Sequence, residues 1–313
     1  MLLLGSTIIA GIVIGFGFAL AALGITLIYR VTGVVNFAHG AMGMFSTFVG
    51  WWFMKNVHPF TPAGVDPFTD TRSILIGVVV ALTFSLLLGL ALENLIFRWL
   101  RGRPQLVKAV ITVGLLLALQ AAAALLFGTT QYHEPIKVFD PSRCGGNCFS
   151  LRFGDLAIGY DQLLVIGVSL ILAGSLALFL RFSRFGVAMR AVSDDPVAAS
   201  LYGIPVNLVG SVSWMIGSLI AAIAGLLLIS VGAATFDTLS LTVLIIDALA
   251  AALIGGLVSL PLTIVGGLML GLLEALPRLW INSTGFPKVV AIGVILVVLL
   301  IRTDKNLLRN AAE

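Results

Sequence analysis

Apolar runs long enough to cross a bilayer recur along this chain, near residues 2–28, 36–54, 74–97, 109–128, 161–180, 206–231, 241–258, 262–281 and 288–302. A helix needs roughly 20 apolar residues to span a hydrocarbon core of about 30 Å, and a soluble fold cannot bury so many such runs. Composition agrees. Of 313 residues, 59% are hydrophobic and only 10% charged, and the mean hydropathy is +1.13. A soluble domain carries about a quarter charged residues. The expected fold is therefore a single all-α polytopic membrane domain over 1–313, with about 8–9 transmembrane helices. The runs 36–54 and 241–258 are short and are expected to be broken or re-entrant. No basic residue precedes the first run and no A-x-A site ends it, so it reads as a span and not as a cleaved signal.

Charge sets the expected sidedness. Arg98, Arg101, Arg103 and Lys108 share one short loop, Arg181, Arg184 and Arg190 another, and Arg302, Lys305 and Arg309 the C-terminal tail. An even number of spans separates each cluster from the next, so the positive-inside rule places all of them, and the C-terminus, in the cytoplasm. The loops near 55–73 and 129–160 then fall outside, and so does the N-terminus if every segment crosses. The net charge of +4 is a topology signal of these loops and not a nucleic-acid face. Cys144 and Cys148 lie in the outer loop 129–160 with Gly145 and Gly146 between them. A tight disulfide and two free thiols both suit that spacing. A lone C-x3-C with only His133 nearby makes no metal site.

Several function classes lack their residues. The chain contains no G-x-x-x-x-G-K-[ST] to cradle ATP phosphates, and no G-x-S-x-G or H-E-x-x-H for intramembrane hydrolysis, so no catalytic residue is assigned. The acids expected within spans are few: Glu93, Asp247 and Glu274. That is a poor set for a proton relay or an ion filter, so uphill transport would draw its energy from a partner. Asp247 and Glu274 are read as intramembrane polar contacts, structural before ligand-binding, because a buried acid needs a partner.

Three segments carry more information. In the first, an apolar span runs into Arg30, Asn36 and His39 and then resumes, with glycines at 33, 40 and 43. Asn36 suits a helix N-cap, and the free N–H groups of such a start favour an anionic group, as in the broken helices of transporters. Asn36 capping an ordinary surface helix is the plainer alternative. In the second, Asp195 suits an N-cap, Pro196 the first helical position and Gly203 the C′ stop, giving a helix of about two turns between spans. Val197, Leu201 and Ile204 are expected on one face of it. A short, capped cytoplasmic helix is what a permease needs to receive force from a soluble motor, although an ordinary connecting loop would use the same residues. The third holds Gly255-Gly256, Ser259-Leu260-Pro261 and the face Gly267-x-x-x-Gly271, which with Gly11-x-x-x-Gly15 allows close helix approach, within the chain or across a subunit interface.

Taken in this order, the segments resemble the LivH-type permease subunits of bacterial branched-chain amino acid ABC transporters. The resembling residues run from Leu27-Ile28-Tyr29 through Asn36-Phe37-Ala38-His39-Gly40. They continue with Gly186, Met189-Arg190-Ala191, Ala198-Ala199, Leu201 and Gly203, and close with Gly255-Gly256, Ser259-Leu260-Pro261, Gly271-Leu272 and Glu274-Ala275-Leu276. The resemblance implies an importer of the bacterial inner membrane that moves branched-chain or other neutral amino acids. It further implies an extracytoplasmic binding protein that delivers solute, a second related permease, and two cytoplasmic ATPase subunits that carry ATP and magnesium, with no cofactor on this chain. It places Asn36, Phe37, His39 and Gly40 on the solute path. It makes 184–204 the coupling segment, with Asp195, Pro196, Ala199, Leu201 and Gly203 in the coupling helix. Two departures bear on the solute. Ala41 stands where an acid often follows the His-Gly pair, and Asp247 where several members carry a basic residue. Urea or a short amide is the alternative solute, and a self-sufficient carrier or channel the alternative mechanism.

Overall fold

Each of the long apolar runs forms a helix. The structure is a computed structural model that describes residues 2–57, 70–100, 102–128, 150–153, 156–233, 236–280 and 285–310. The helices are α1 (Leu2–Thr32), α2 (His39–Asn56), α3 (Thr71–Leu95), α4 (Gln105–Phe127), α5 (Tyr160–Phe182), α6 (Arg184–Asp194), α7 (Pro196–Leu201), α8 (Val206–Ser230), α9 (Ser240–Ile254), α10 (Leu260–Ala275) and α11 (Phe286–Asn310). Five of them, α1, α3, α4, α5 and α8, are long and apolar enough to cross a membrane by length and composition, and α9, α10 and the first part of α11 are shorter apolar helices. One feature escapes an all-helical reading. The loop 129–160 contains a two-stranded antiparallel hairpin of β1 (Ser150–Phe153) and β2 (Leu156–Gly159), in register Ser150↔Gly159. Cys144 and Cys148 lie outside the described residues.

Local chemistry sets the helix ends. Asp70 accepts from the Ser73 N–H at 3.1 Å to start α3, and that bond holds its carboxyl below the usual carboxylate range. Gly256, at φ +72°, stops α9, with the Leu257 N–H bonded back to the Ala252 carbonyl at 2.9 Å. With 15 and 16 residues, α9 and α10 reach only about 22–24 Å, short of a hydrocarbon core.

At the centre is α1, packed against α5, α8, α9 and α10, while α4 lies at the edge. Leu106, Val110, Val113 and Leu117 of α4 are exposed in a stripe that suits lipid. The two small-residue faces meet each other: a Cβ built on Gly271 would lie 2.3 Å from the Gly11 carbonyl oxygen and 2.5 Å from the Gly15 Cα. The close approach expected of these glycines is thus made inside the chain, between α1 and α10, and not across a subunit interface. Valine at Gly271 would meet backbone that cannot yield, so Gly271→Val is expected to cost about 1–3 kcal/mol. Thermal unfolding of the purified variant in detergent checks this.

Candidate functional site

The chain turns back into the bundle after α1. Gly33, at φ +66°, leaves the helix with its N–H on the Tyr29 carbonyl, and residues 33–38 run inward to start α2 beside Gly24. Thr112 of α4 donates to the Val35 carbonyl at 3.2 Å, tying this irregular stretch to the bundle. Such backbone is tolerated at membrane depth only where protein surrounds it, and Asn36, Ala38 and His39 are each at most 1% exposed.

Asn36 is not the N-cap. That position belongs to Ala38, which makes no side-chain cap bond. Instead the Asn36 Oδ1 accepts from the Ala38 N–H at 3.0 Å, and its Nδ2 donates to the Met42 Sδ at 3.3 Å. The asparagine closes a turn two residues earlier because its short side chain reaches its own i+2 amide first. The His39 ring lies over Gly24, where a Cβ would be 2.5 Å from the imidazole Cε1. The Ala21 carbonyl faces the ring, but neither ring nitrogen completes a hydrogen bond within the described residues. His39 and Gly40 line a cavity of about 20 Å³ closed by Ala21, Ala221, Leu244 and Ala248, which has room for about one water and none for an amino acid. Phe37 is partly buried beside them. Further along α2, Phe48 stacks on Phe236 at 4.5 Å and on Phe127 at 5.4 Å, a packed aromatic layer above the cavity.

A second buried polar group lies on α9, next to the cavity-lining Ala248. Asp247 is fully buried, and its Oδ2 accepts from the Lys288 Nζ of α11. The Glu274 side chain of α10 approaches the same carboxylate. Asp247 and Glu274, expected to be intramembrane polar contacts, therefore meet.

The segment between α5 and α8 is a helix pair. Ser183 accepts from the Gly186 N–H at 2.8 Å to start α6. The Asp195 Oδ1 accepts from Val197 at 2.8 Å and Ala198 at 3.0 Å, Pro196 opens α7, and Gly203 follows at φ +80°. Ala199 faces inward at 4% exposure, while Val197, Leu201 and Tyr202 project outward at 68%, 83% and 87%. Ile204 does not share that face. It packs into the core, because the Gly203 turn reverses the chain.

The family model described as "Branched-chain amino acid transport system / permease component" matches residues 7–300. The chain belongs to this permease family. The permease is 29% identical to the high-affinity branched-chain amino acid transport system permease protein LivH of Escherichia coli, over 97% of this chain and 95% of that one. It is 29% identical to the corresponding protein BraD of Pseudomonas aeruginosa, over 98% and 96%. It is 30% identical to a probable branched-chain amino acid transport permease protein LivH of Methanocaldococcus jannaschii, over 90% and 85%. No solved structure matches it.

Sequence reasoning missed two features of the permease. Lys288 reads simply as the first residue of an apolar run, though its cation beside apolar sequence was a signal that an intramembrane acid needed it. The second helix of the coupling segment, α6, was also missed, since its alternation of basic and apolar residues is as much loop as helix.

Proposed function

We propose that this permease is the membrane subunit of an ABC importer for branched-chain amino acids. A separate binding protein delivers the solute outside, a second related permease completes the path, and ATPase subunits drive transport from the cytoplasm. The match over residues 7–300, together with near full-length similarity to branched-chain permeases, carries this reading. The geometry supports a path at Asn36, Phe37, His39 and Gly40. There a helix starts inside the bundle, and His39 and Gly40 line a small, mainly apolar cavity that must widen during transport before it admits an amino acid. Once widened, such a helix start suits a carboxylate next to an aliphatic side chain. Supporting the sidedness, the end of α1, the 193–196 junction, the start of α8 and Val258 surround one cavity, while Leu75, Asp161 and Ser230 meet at the opposite end. The first end holds the basic loops and is cytoplasmic by the positive-inside rule. The exposed Val197, Leu201 and Tyr202 there form the contact with an ATPase subunit.

Uptake of labelled leucine by cells with and without the gene tests the function, with unlabelled isoleucine, valine and urea as competitors. Gene-dependent uptake blocked by isoleucine or valine supports the reading. Uptake indifferent to the gene removes the branched-chain assignment. For the coupling segment, Asp195→Ala removes the acceptor of two α7 amides and is expected to loosen that helix by about 1 kcal/mol. The uptake achieved per ATP hydrolysed should then fall in reconstituted vesicles while the subunits stay associated. An unchanged ratio would take α7 out of the coupling role.

A further inference from the structure

A cavity of about 400 Å³ opens where α1 ends against the α6–α7 junction and the start of α8. Its size is within the range of small-molecule pockets, about 300–1,000 Å³. Its wall is in part apolar, from residues such as Val206 and Val258, and in part polar, from Tyr29, Arg30 and Ser193. Arg30 is half-buried, and its guanidinium makes no hydrogen bond or ion pair with any described residue. The hydroxyls of Tyr29 and Ser193 are likewise unengaged there. None of the described lining residues is acidic. A cation withdrawn from water is costly without a counter-ion. One arginine, two free hydroxyls and an aliphatic wall are complementary to a single oxyanion attached to an apolar body. A polyanion such as a nucleotide would meet too few cations.

We propose that this cavity is an exit-side site for the carboxylate of an aliphatic amino acid, with Arg30 as its anion-binding residue and Ser193 and Tyr29 as hydroxyl partners. The assignment rests on the importer reading given above. An occupant would touch both the last turn of α1 and the Ser193–Pro196 junction, so accumulated product would hold the end of α1 against the coupling segment and slow the next cycle. The permease is thereby inhibited from the inside by what it imports.

The test uses the full transporter complex in liposomes, with labelled leucine and binding protein outside, and ATP with or without unlabelled leucine inside. The quantity read for each variant is the ratio of initial uptake with and without internal leucine. Internal leucine should lower wild-type uptake, and leucinamide, which lacks the carboxylate, should not. Arg30→Gln should raise the half-inhibitory leucine concentration about tenfold or more, as expected for loss of a charge-assisted hydrogen bond. Arg30→Lys should retain most of the inhibition, and this separates binding from misfolding. Equal inhibition of wild type and Arg30→Gln, or equal potency of leucinamide, overturns the proposal. A phospholipid phosphate offers the same oxyanion, so the series is repeated with phosphatidylglycerol replaced by phosphatidylcholine. If Arg30→Gln abolishes only the response to phosphatidylglycerol, the amino acid assignment is overturned in favour of a lipid headgroup. Absence of wild-type uptake even without internal leucine would sink the importer reading instead. Thermal melting of the complex with leucine or leucinamide then decides the site alone: an Arg30-dependent stabilisation by leucine only supports it, and none overturns it.

Discussion

Asn36→Leu is expected to reduce uptake to background while the permease still folds and assembles with its partners. The asparagine is at most 1% exposed and supplies the acceptor for the Ala38 N–H in the turn that aims α2. Leucine has the same branched skeleton with bulkier ends and no acceptor, and an unpaired buried amide costs about 1–3 kcal/mol. The bundle can absorb that cost, since α1, α8, α9 and α10 are held by contacts that Asn36 does not make. The path cannot, because the same turn sets where the first α2 amides and the His39 ring point. A loss of about 1–3 kcal/mol from a transporting state corresponds to roughly five- to 150-fold in rate. Asn36→Asp separates two roles. It keeps the Oδ1 acceptor and hence the turn, but brings a negative charge to where a solute carboxylate would arrive. Uptake by Asn36→Asp near wild type would reduce Asn36 to a turn-former, and loss in both variants, with intact complexes, supports its place on the path. Uptake assays alongside co-purification of the partner subunits give both readouts.

What the sequence shows of this molecule follows from how far each interaction reaches along the chain. The spans are legible because twenty consecutive apolar residues carry their own reason to be helical and buried in lipid. The α7 cap is legible too, since Asp195, Pro196 and Gly203 act on amides within a few residues. Asn36 shows where such local reading divides: the side chain had two amides within reach, and the nearer one took it. Pairings between helices are a different matter. Gly11, Gly15, Gly267 and Gly271 announce close packing, but periodicity cannot say that the two faces pack on each other. The Arg30 cavity joins residues from α1, the α6–α7 junction and α8, and no single segment hints at it. The hairpin at 150–159 was invisible for a simpler reason, as its four-residue strands are too short for alternation to stand out.

The pair Asp247–Lys288 yields the second large effect, and its two halves are expected to differ. Asp247 is fully buried on α9, whereas the Lys288 side chain keeps 35% of its surface exposed near the start of α11. Lys288→Met leaves a buried carboxylate with no counter-ion and the Glu274 side chain alongside it. Breaking a buried pair in this way costs about 3–5 kcal/mol. Asp247→Asn leaves a lysine whose long stem can carry the ammonium towards the membrane surface, so it should cost clearly less. The double variant Asp247→Asn/Lys288→Met removes both charges and should recover most of the loss seen in Lys288→Met, because an uncharged replacement escapes the desolvation penalty. The order of thermal unfolding midpoints in detergent is then wild type, the double variant and Asp247→Asn close together, with Lys288→Met well below. Equal destabilisation by the two single variants would mean that Lys288 is held as tightly as its partner and cannot escape. Transport gives an independent reading. Ala248, the next residue on α9, lines the His39 cavity, so α9 links the ion pair to the proposed path. A double variant that recovers stability but not uptake would show that the charge pair also positions α9 for transport, whereas recovery of both confines it to holding α11 in place.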